Sequence, residues 1–187
     1  VSLEDPVEYY IAGVNQSQIR PELAYTFASG LRQILRQDPN IIVVGEMRDS
    51  ETAGLAVQSA LTGHLVLSTL HTNDAVGVIP RLIDMGVEPF LLPSALSVVL
   101  AQRLVKKLCP DCKKEMEPSE PVKKIILDSI NSMPEISRPK IKSDNIKVYK
   151  SLGCPKCGNK GTKGRIAIFE VLEMTLNLEE IIISAPT

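Results

Sequence analysis

The chain has no tryptophan, and aromatic residues make up 4% of its 187 positions. That scarcity leaves little for a base-stacking platform and argues against single-stranded nucleic acid as a ligand. Its 21 Lys and Arg nearly balance 22 Asp and Glu, for a net charge of −1. No overall field therefore points to a polyanion. No apolar run approaches the roughly 18 residues that a membrane-spanning helix needs. Nothing reads as a secretory leader. The chain opens on Val1-Ser-Leu rather than Met, inside what reads as a strand, so a piece of a longer protein is expected. Two phosphate-binding fingerprints are missing as well. Neither Gly-x-x-x-x-Gly-Lys-[Ser/Thr] nor Gly-x-Gly-x-x-Gly occurs, and each works by cradling phosphates on backbone N–H groups. Gly158-Asn-Lys-Gly-Thr-Lys-Gly164 is rich in glycine and lysine, but its spacing is wrong.

What is present reads as an α/β protein. A length of 187 residues with 44% hydrophobic content suits one good core, or one domain plus a small module. Ile41–Val44 is a β-branched run after the turn signal Asp38-Pro39-Asn40, which predicts a strand buried on both faces. Glu46 stands at its carboxyl end, where open α/β sheets bind ligands. Two readings are open: a polar loop that contains a glutamate, or an acid that reaches a hydrated Mg²⁺ on a nucleotide. Residues 1–8 end an earlier strand at Pro6 and bring three acids, Glu4, Asp5 and Glu8. They are a solvated turn, or a general base and its supports near a phosphate. Leu65–Leu70 predicts another strand, followed by His71; His64 precedes it. Strand and helix signals alternate at βαβ spacing. Right-handed crossovers would then set Glu4/Asp5/Glu8, Glu46 and Thr69/His71 on one sheet edge.

Helices are expected over Tyr25–Gln37 with Thr26 as N-cap, over Ser50–Leu61 with Asp49 or Ser50 as cap, over Asn73–Gly86 and over Pro93–Lys107. Pro80 falls inside the third and should kink it. Ile11–Glu22 gives weak signals of a loop or hairpin. Arg32 and Arg36 lie four apart on one helical face.

The four cysteines form two Cys-x-x-Cys pairs, Cys109/Cys112 and Cys154/Cys157, around a Lys-rich, Pro-broken segment. With no sign of a secreted miniprotein, metal binding is favoured over a disulfide framework. Two such pairs give a closed tetrahedral Cys₄ zinc site of structural character. A reversible redox pair and ligands that no longer hold metal remain alternatives. Val122–Ile130 predicts a short helix between the pairs. Ile166, Ile168 and Val171 predict a strand, and Leu176–Ile183 the start of a helix.

These motifs resemble the type II secretion and type IV pilus assembly ATPase family of hexameric motors. Glu4-Asp-Pro-Val-Glu8 looks like its Asp box. Leu35-Arg-Gln-Asp-Pro-Asn-Ile-Ile-Val-Val-Gly-Glu46-Met-Arg-Asp49 looks like its Walker B box. Gly63-His-Leu-Val-Leu-Ser-Thr-Leu-His71-Thr72 looks like its His box. The paired cysteines and Gly164-Arg-Ile-Ala-Ile-Phe-Glu-Val-Leu-Glu173 resemble its zinc module and the segment after it. The resemblance implies the C-terminal part of a RecA-like P-loop NTPase core over 1–107, an inserted tetracysteine zinc module over 108–163, and a segment over 164–187 that packs back on the core. It implies ATP hydrolysis with Mg²⁺, coupled to pilus assembly or type II secretion, and structural Zn²⁺. The partners would be other copies in a hexamer and platform proteins at the inner membrane, on its cytoplasmic side. No nucleic-acid partner and no transmembrane segment are implied. By position, Glu8 would activate water with Glu4 and Asp5 in support, and Glu46 would hold Mg²⁺ through water. His71 would sense the γ-phosphate or link neighbouring sites, with Thr69 beside it and His64 a further candidate. Arg32, Arg36 and Arg48 would be phosphate or interface arginines. Cys109, Cys112, Cys154 and Cys157 would bind zinc. Without the Walker A loop these residues alone should be inactive. A zinc-stapled partner-binding piece, or a DNA-translocating or conjugation motor, is the alternative.

Overall fold

The computed structural model describes residues 1–133, 135, 138 and 146–184. The Pro-broken stretch expected between the cysteine pairs lies partly outside them. By contacts the chain divides into two units, residues 1–102 with 169–187, and residues 103–168.

The first unit is built on four parallel strands in the order β2-β1-β3-β4: β1 Ser2–Glu4, β2 Gln16–Gln18, β3 Ile41–Val44 and β4 Leu65–Ser68. Where a loop or hairpin was expected over residues 11–22, β2 instead pairs in parallel with β1. α1, Phe27–Ile34, starts where expected: the Thr26 hydroxyl accepts the Ser29 N–H, and the Ser29 hydroxyl accepts the Thr26 N–H. Two orphan donors are thereby satisfied. Phe27, Leu31 and Ile34 recur at helical spacing and bury against Leu3, Ile42 and Val44. α2, Ser50–Leu61, is capped by Asp49, whose carboxylate accepts the Thr52 N–H at 2.7 Å. Its Ala56 joins the same core, while Ala53 and Val57 pack with Leu82, Leu92 and Ile182.

Among the described residues one face of the sheet is covered. Ile42 and Val44 are fully buried, while on the opposite face Ile41 is 48%, Leu65 55% and Leu67 51% exposed. Within these residues β3 is thus buried on one face, where burial on both was expected.

Two helix expectations are also corrected. α3 runs Val78–Asp84, shorter than Asn73–Gly86. Ahead of it the Thr72 hydroxyl donates to the Asp74 carbonyl, and the Asp74 carboxylate accepts the Gly77 N–H at 2.7 Å. These side-chain bonds offer the backbone a turn in place of helix. Pro80 is thus the third helical residue, in a first turn that needs no N–H from it, and no kink is required. The helix expected over Pro93–Lys107 stops at once: α4 is Leu92–Ala95, and Val98–Leu108 is strand β5. Pairing with β8, Thr162–Glu173, overrides the helical spacing of its apolar residues. Arg103, Lys106 and Lys107 accordingly sit on a strand, not at a helix end. α6, Leu176–Ser184, completes this unit, with Ile182 buried.

The second unit contains the outer parts of β5 and β8, the antiparallel pair β6 Lys113–Met116 and β7 Val148–Ser151, and the helix α5 Glu120–Asn131. None of the α5 residues is buried.

Candidate functional site

Parallel register carries the ends of β1, β3 and β4 to the same side of the sheet. Past the strands, the Gly45 N–H donates to the Leu3 carbonyl at 2.8 Å and the Met47 N–H to the Thr69 carbonyl at 3.0 Å. The Thr69 hydroxyl donates to the Gly45 carbonyl at 2.6 Å. A Cβ on Gly45 would lie 3.0 Å from the Leu3 carbonyl oxygen, so the close approach of β1 calls for glycine here.

These ties set Glu46 beside His71 and Arg48. Glu46 is 9% exposed. Its Oε2 accepts from Arg48 Nε at 2.6 Å and contacts His71 Nε2 at 3.1 Å. A carboxylate only accepts, so the second contact requires the proton on Nε2. The Arg48 hydrogen bond outweighs the opposing effect of burial and, with His71, holds the Glu46 carboxyl below its usual range. The other oxygen, Oε1, takes no hydrogen bond among the described residues. It is not sealed from solvent, since no buried side-chain oxygen lacks a partner. An ionised carboxylate anchored through one oxygen and open at the other can hold a hydrated divalent cation.

Of the β1 acids, Glu4 is already engaged: its Oε1 accepts from Ser2 Oγ at 2.5 Å and Gln16 Nε2 at 2.9 Å. Those two bonds, Gln16 foremost, lower its pKa. Asp5 is close enough to act electrostatically on Arg48. Glu8 is exposed on the loop after β1 and makes no hydrogen bond or ion pair with the described residues. Arg32 pairs with Glu51 across α1 and α2, so it serves a helix–helix contact in this structure. Arg36 is exposed on the 3₁₀ turn after α1. His64 is not brought to this edge: it precedes β4, at the opposite end of the strand, with Nδ1 2.9 Å from the Ser59 carbonyl.

Two residues that support this edge went unread in the sequence. Gln16 ties Glu4 to the loop, donating also to the Tyr9 carbonyl and accepting the Ile11 N–H. Glu170 on β8 accepts the Ala75 N–H at 3.0 Å, fixing the chain just after His71. Gln16 lay in a weak segment, and Glu170 is 95 positions from its partner, so no local signal marked either.

The second cluster is sulfur. The four cysteine Sγ atoms lie within 4.8 Å of one another. Cys109–Cys154 and Cys112–Cys157 are each 3.9 Å apart, and Cys154–Cys157 3.8 Å. Thiolates about 2.3 Å from a shared tetrahedral ion stand about 3.8 Å from each other, so the donor set fits a closed four-sulfur metal centre. Burial pushes the Cys154 thiol up to about 11. Burial also raises Cys157, but hydrogen bonds from the N–H groups of Cys154 and Gly161, at 3.2 and 3.3 Å from its sulfur, together with those from the Cys154 and Cys112 thiols, outweigh it and bring it to about 6. Gly158 follows at φ 58°, a left-handed conformation that glycine adopts freely, and closes the Cys-Pro-Lys-Cys turn.

Comparison with known proteins agrees with the motifs. The family model "Type II/IV secretion system protein" matches residues 1–187. The type II secretion system ATPase E of Vibrio cholerae serotype O1 is 51% identical over 182 residues, 97% of this chain and 34% of that protein. The type IV pilus assembly ATPase PilB of Myxococcus xanthus is 48% identical over 181 residues, 97% of this chain and 30% of that one. The chain thus spans about a third of the length of these relatives. The crystal structure of the pilus retraction motor PilT with bound ADP superposes with a TM-score of 0.65 at 27% identity, covering 99% of this chain and 41% of that chain.

Proposed function

The chain belongs to the type II/IV secretion system protein family, and from that membership we propose that it is part of a cytoplasmic motor ATPase driving type IV pilus assembly or type II secretion. The observation that carries the reading is Glu46: ionised, nine-tenths buried, held by Arg48 and His71 through one oxygen and open at the other. The fold would be the C-terminal part of a RecA-like core, and α/β likeness to PilT supports it.

Bound MgATP would supply the phosphoanhydride whose cleavage drives the motor. Glu46 Oε1 would hold the magnesium's water shell. Arg48 reaches Glu46 from an exposed position, so its guanidinium can leave that oxygen and meet phosphate charge. His71 would then keep Glu46 in place and read the terminal phosphate. Glu8, free of other bonds, would take a proton from the attacking water. Glu4 and Asp5 would set the local field, with Glu4 fixed by Gln16. Arg32 and Arg36 would serve a neighbouring copy of a hexamer. The four cysteines would hold structural zinc, the common ion for an all-thiolate tetrahedron. No described helix is long and apolar enough to cross a membrane, which accords with peripheral attachment to inner-membrane platform proteins.

The test is ATP turnover by the full-length protein, wild type against Glu8→Gln and Glu46→Gln. Mg²⁺-dependent turnover lost in both variants, with their folding intact, is expected. Unchanged turnover in either removes its assigned role.

A further inference from the structure

Glu8 is exposed and makes no hydrogen bond among the described residues. A general base works only where its carboxylate is held within reach of the water it deprotonates. The backbone around it has little to hold it. The β1–β2 ladder releases the chain after Glu4, whose carbonyl accepts the Ile19 N–H, and takes it up again at Asn15, whose carbonyl accepts the Ser2 N–H, both at 2.9 Å. In between, residues 5–10 make no backbone–backbone hydrogen bond with the described residues. Such a loop on its own would open easily.

Two side chains of β2 hold it instead. Parallel register sets Ser2 beside Gln16 and Glu4 beside Gln18. Alternate residues of a strand share a face, so both glutamines lie on the face opposite Leu3, which is in the core. From there the half-buried Gln16 amide makes three bonds. Its Oε1 accepts the Ile11 N–H at 2.7 Å, and its Nε2 donates to the Tyr9 carbonyl and to Glu4 Oε1, each at 2.9 Å. Gln18 Oε1 accepts the Val7 N–H at a longer 3.4 Å. The main chain is thus tied at residues 7, 9 and 11, on both sides of Glu8. The task calls for an amide, which donates and accepts from one planar group. A glutamate at position 16 could donate to neither oxygen and would face the Glu4 carboxylate with like charge.

The same amide separates the two glutamates of this stretch. Glu4 is engaged through Oε1 by Gln16 and Ser2, and the Gln16 bond is the largest cause of its lowered pKa. A carboxylate held in its ionised form is the weaker base. Glu8 is left unengaged, on a backbone that is fixed.

We propose that Gln16 is the positioning residue for Glu8: its amide ties the loop beyond β1 so that the Glu8 carboxylate is presented at the sheet edge, with Gln18 in support. This deepens the reading above and rests on it, since the placement of Glu8 matters to turnover only if Glu8 serves the attacking water.

The experiment compares four forms of the full-length, metal-loaded protein: wild type, Gln16→Met, Glu8→Gln and the double variant. Methionine keeps an unbranched chain of similar bulk and deletes the amide. Mg²⁺-dependent release of labelled phosphate gives kcat and KM, binding of a non-hydrolysable ATP analogue gives Kd, and hydrogen–deuterium exchange follows backbone order by peptide. In Gln16→Met, kcat should fall about ten- to a hundredfold, with KM and the analogue Kd within about twofold of wild type. Exchange should quicken over residues 5–11 and keep its wild-type rate over α1 and β3. In the Glu8→Gln background the same substitution should cost less than about threefold, because a residue acting through Glu8 then has nothing left to place.

An unchanged kcat in Gln16→Met overturns the proposal, as does unchanged exchange over residues 5–11. Faster exchange across α1 and β3 as well would make Gln16 a structural residue and overturn it too. So would an equal fold-loss of turnover in the two backgrounds. Wild-type turnover in Glu8→Gln overturns the reading above and this proposal with it, whereas an inactive Glu8→Gln beside a fully active Gln16→Met overturns the proposal alone.

Discussion

Glu46→Gln isolates the electrostatics of the strand-end site from its shape. Glutamine keeps the volume and removes the charge that Arg48 and His71 grip. A hydrogen bond to a charged group is worth about 1.5–3 kcal/mol, but an exposed ion pair only about 0.2–1 kcal/mol. The Glu46 side chain is 12% exposed, yet Arg48 is 62% and His71 83% exposed. Water screens both partners, so the substitution should cost about 1 kcal/mol at neutral pH. The sign with pH follows from the direction of the shift. The folded carboxyl titrates below its usual 4.5, so the unfolded chain takes up the proton first as pH falls. The stabilisation is complete above the unfolded carboxyl's value and is lost as the pH falls through the lower folded value. Urea unfolding followed by far-UV circular dichroism, wild type against variant from neutral pH downward, measures it. Metal released from the cysteines at low pH affects both proteins alike. A cost that does not shrink as the solution is acidified would refute the assignment, because only the ionised form has these partners.

Leu31 is fully buried between α1 and the sheet, so Leu31→Ala should cost about 2–5 kcal/mol in urea unfolding. Pro80→Ala should change stability by less than about 1 kcal/mol, whereas a proline obstructing a helix interior would yield about 3 kcal/mol on removal; denaturant midpoints decide between them. A strong chelator should expose residues 103–168 to limited proteolysis while residues 1–102 stay protected, since the four sulfurs belong wholly to the former. Equal cleavage of both would show that the metal site supports more than its own unit.

Local signals carried much of this structure. Thr26 and Asp49 announced their helices because capping is decided within three residues. Ile41–Val44 announced β3 by its β-branched run. The nearness of Glu46 and His71 followed from parallel topology alone. What could not be read depends on distant partners. β5 has a helical apolar spacing and becomes strand only because β8, more than fifty positions on, pairs with it. The open face of Ile41, Leu65 and Leu67 has the same side chains as a buried one. The anchoring of Glu4 by Gln16 joins two stretches that have no shared motif.

The pairing of Cys109 with Cys154 and of Cys112 with Cys157 fixes both ends of the segment between them. Once those ends are pinned, the length of what lies between becomes almost free: each doubling adds only about 0.6 kcal/mol of closure entropy. None of the α5 residues is fully buried, so a change of length on that helix should cost little packing, whereas the paired β6 and β7 on either side of it must keep their register. α5 is therefore the place where this chain can lengthen, shorten or accept a foreign sequence while the strand-end site stays as it is.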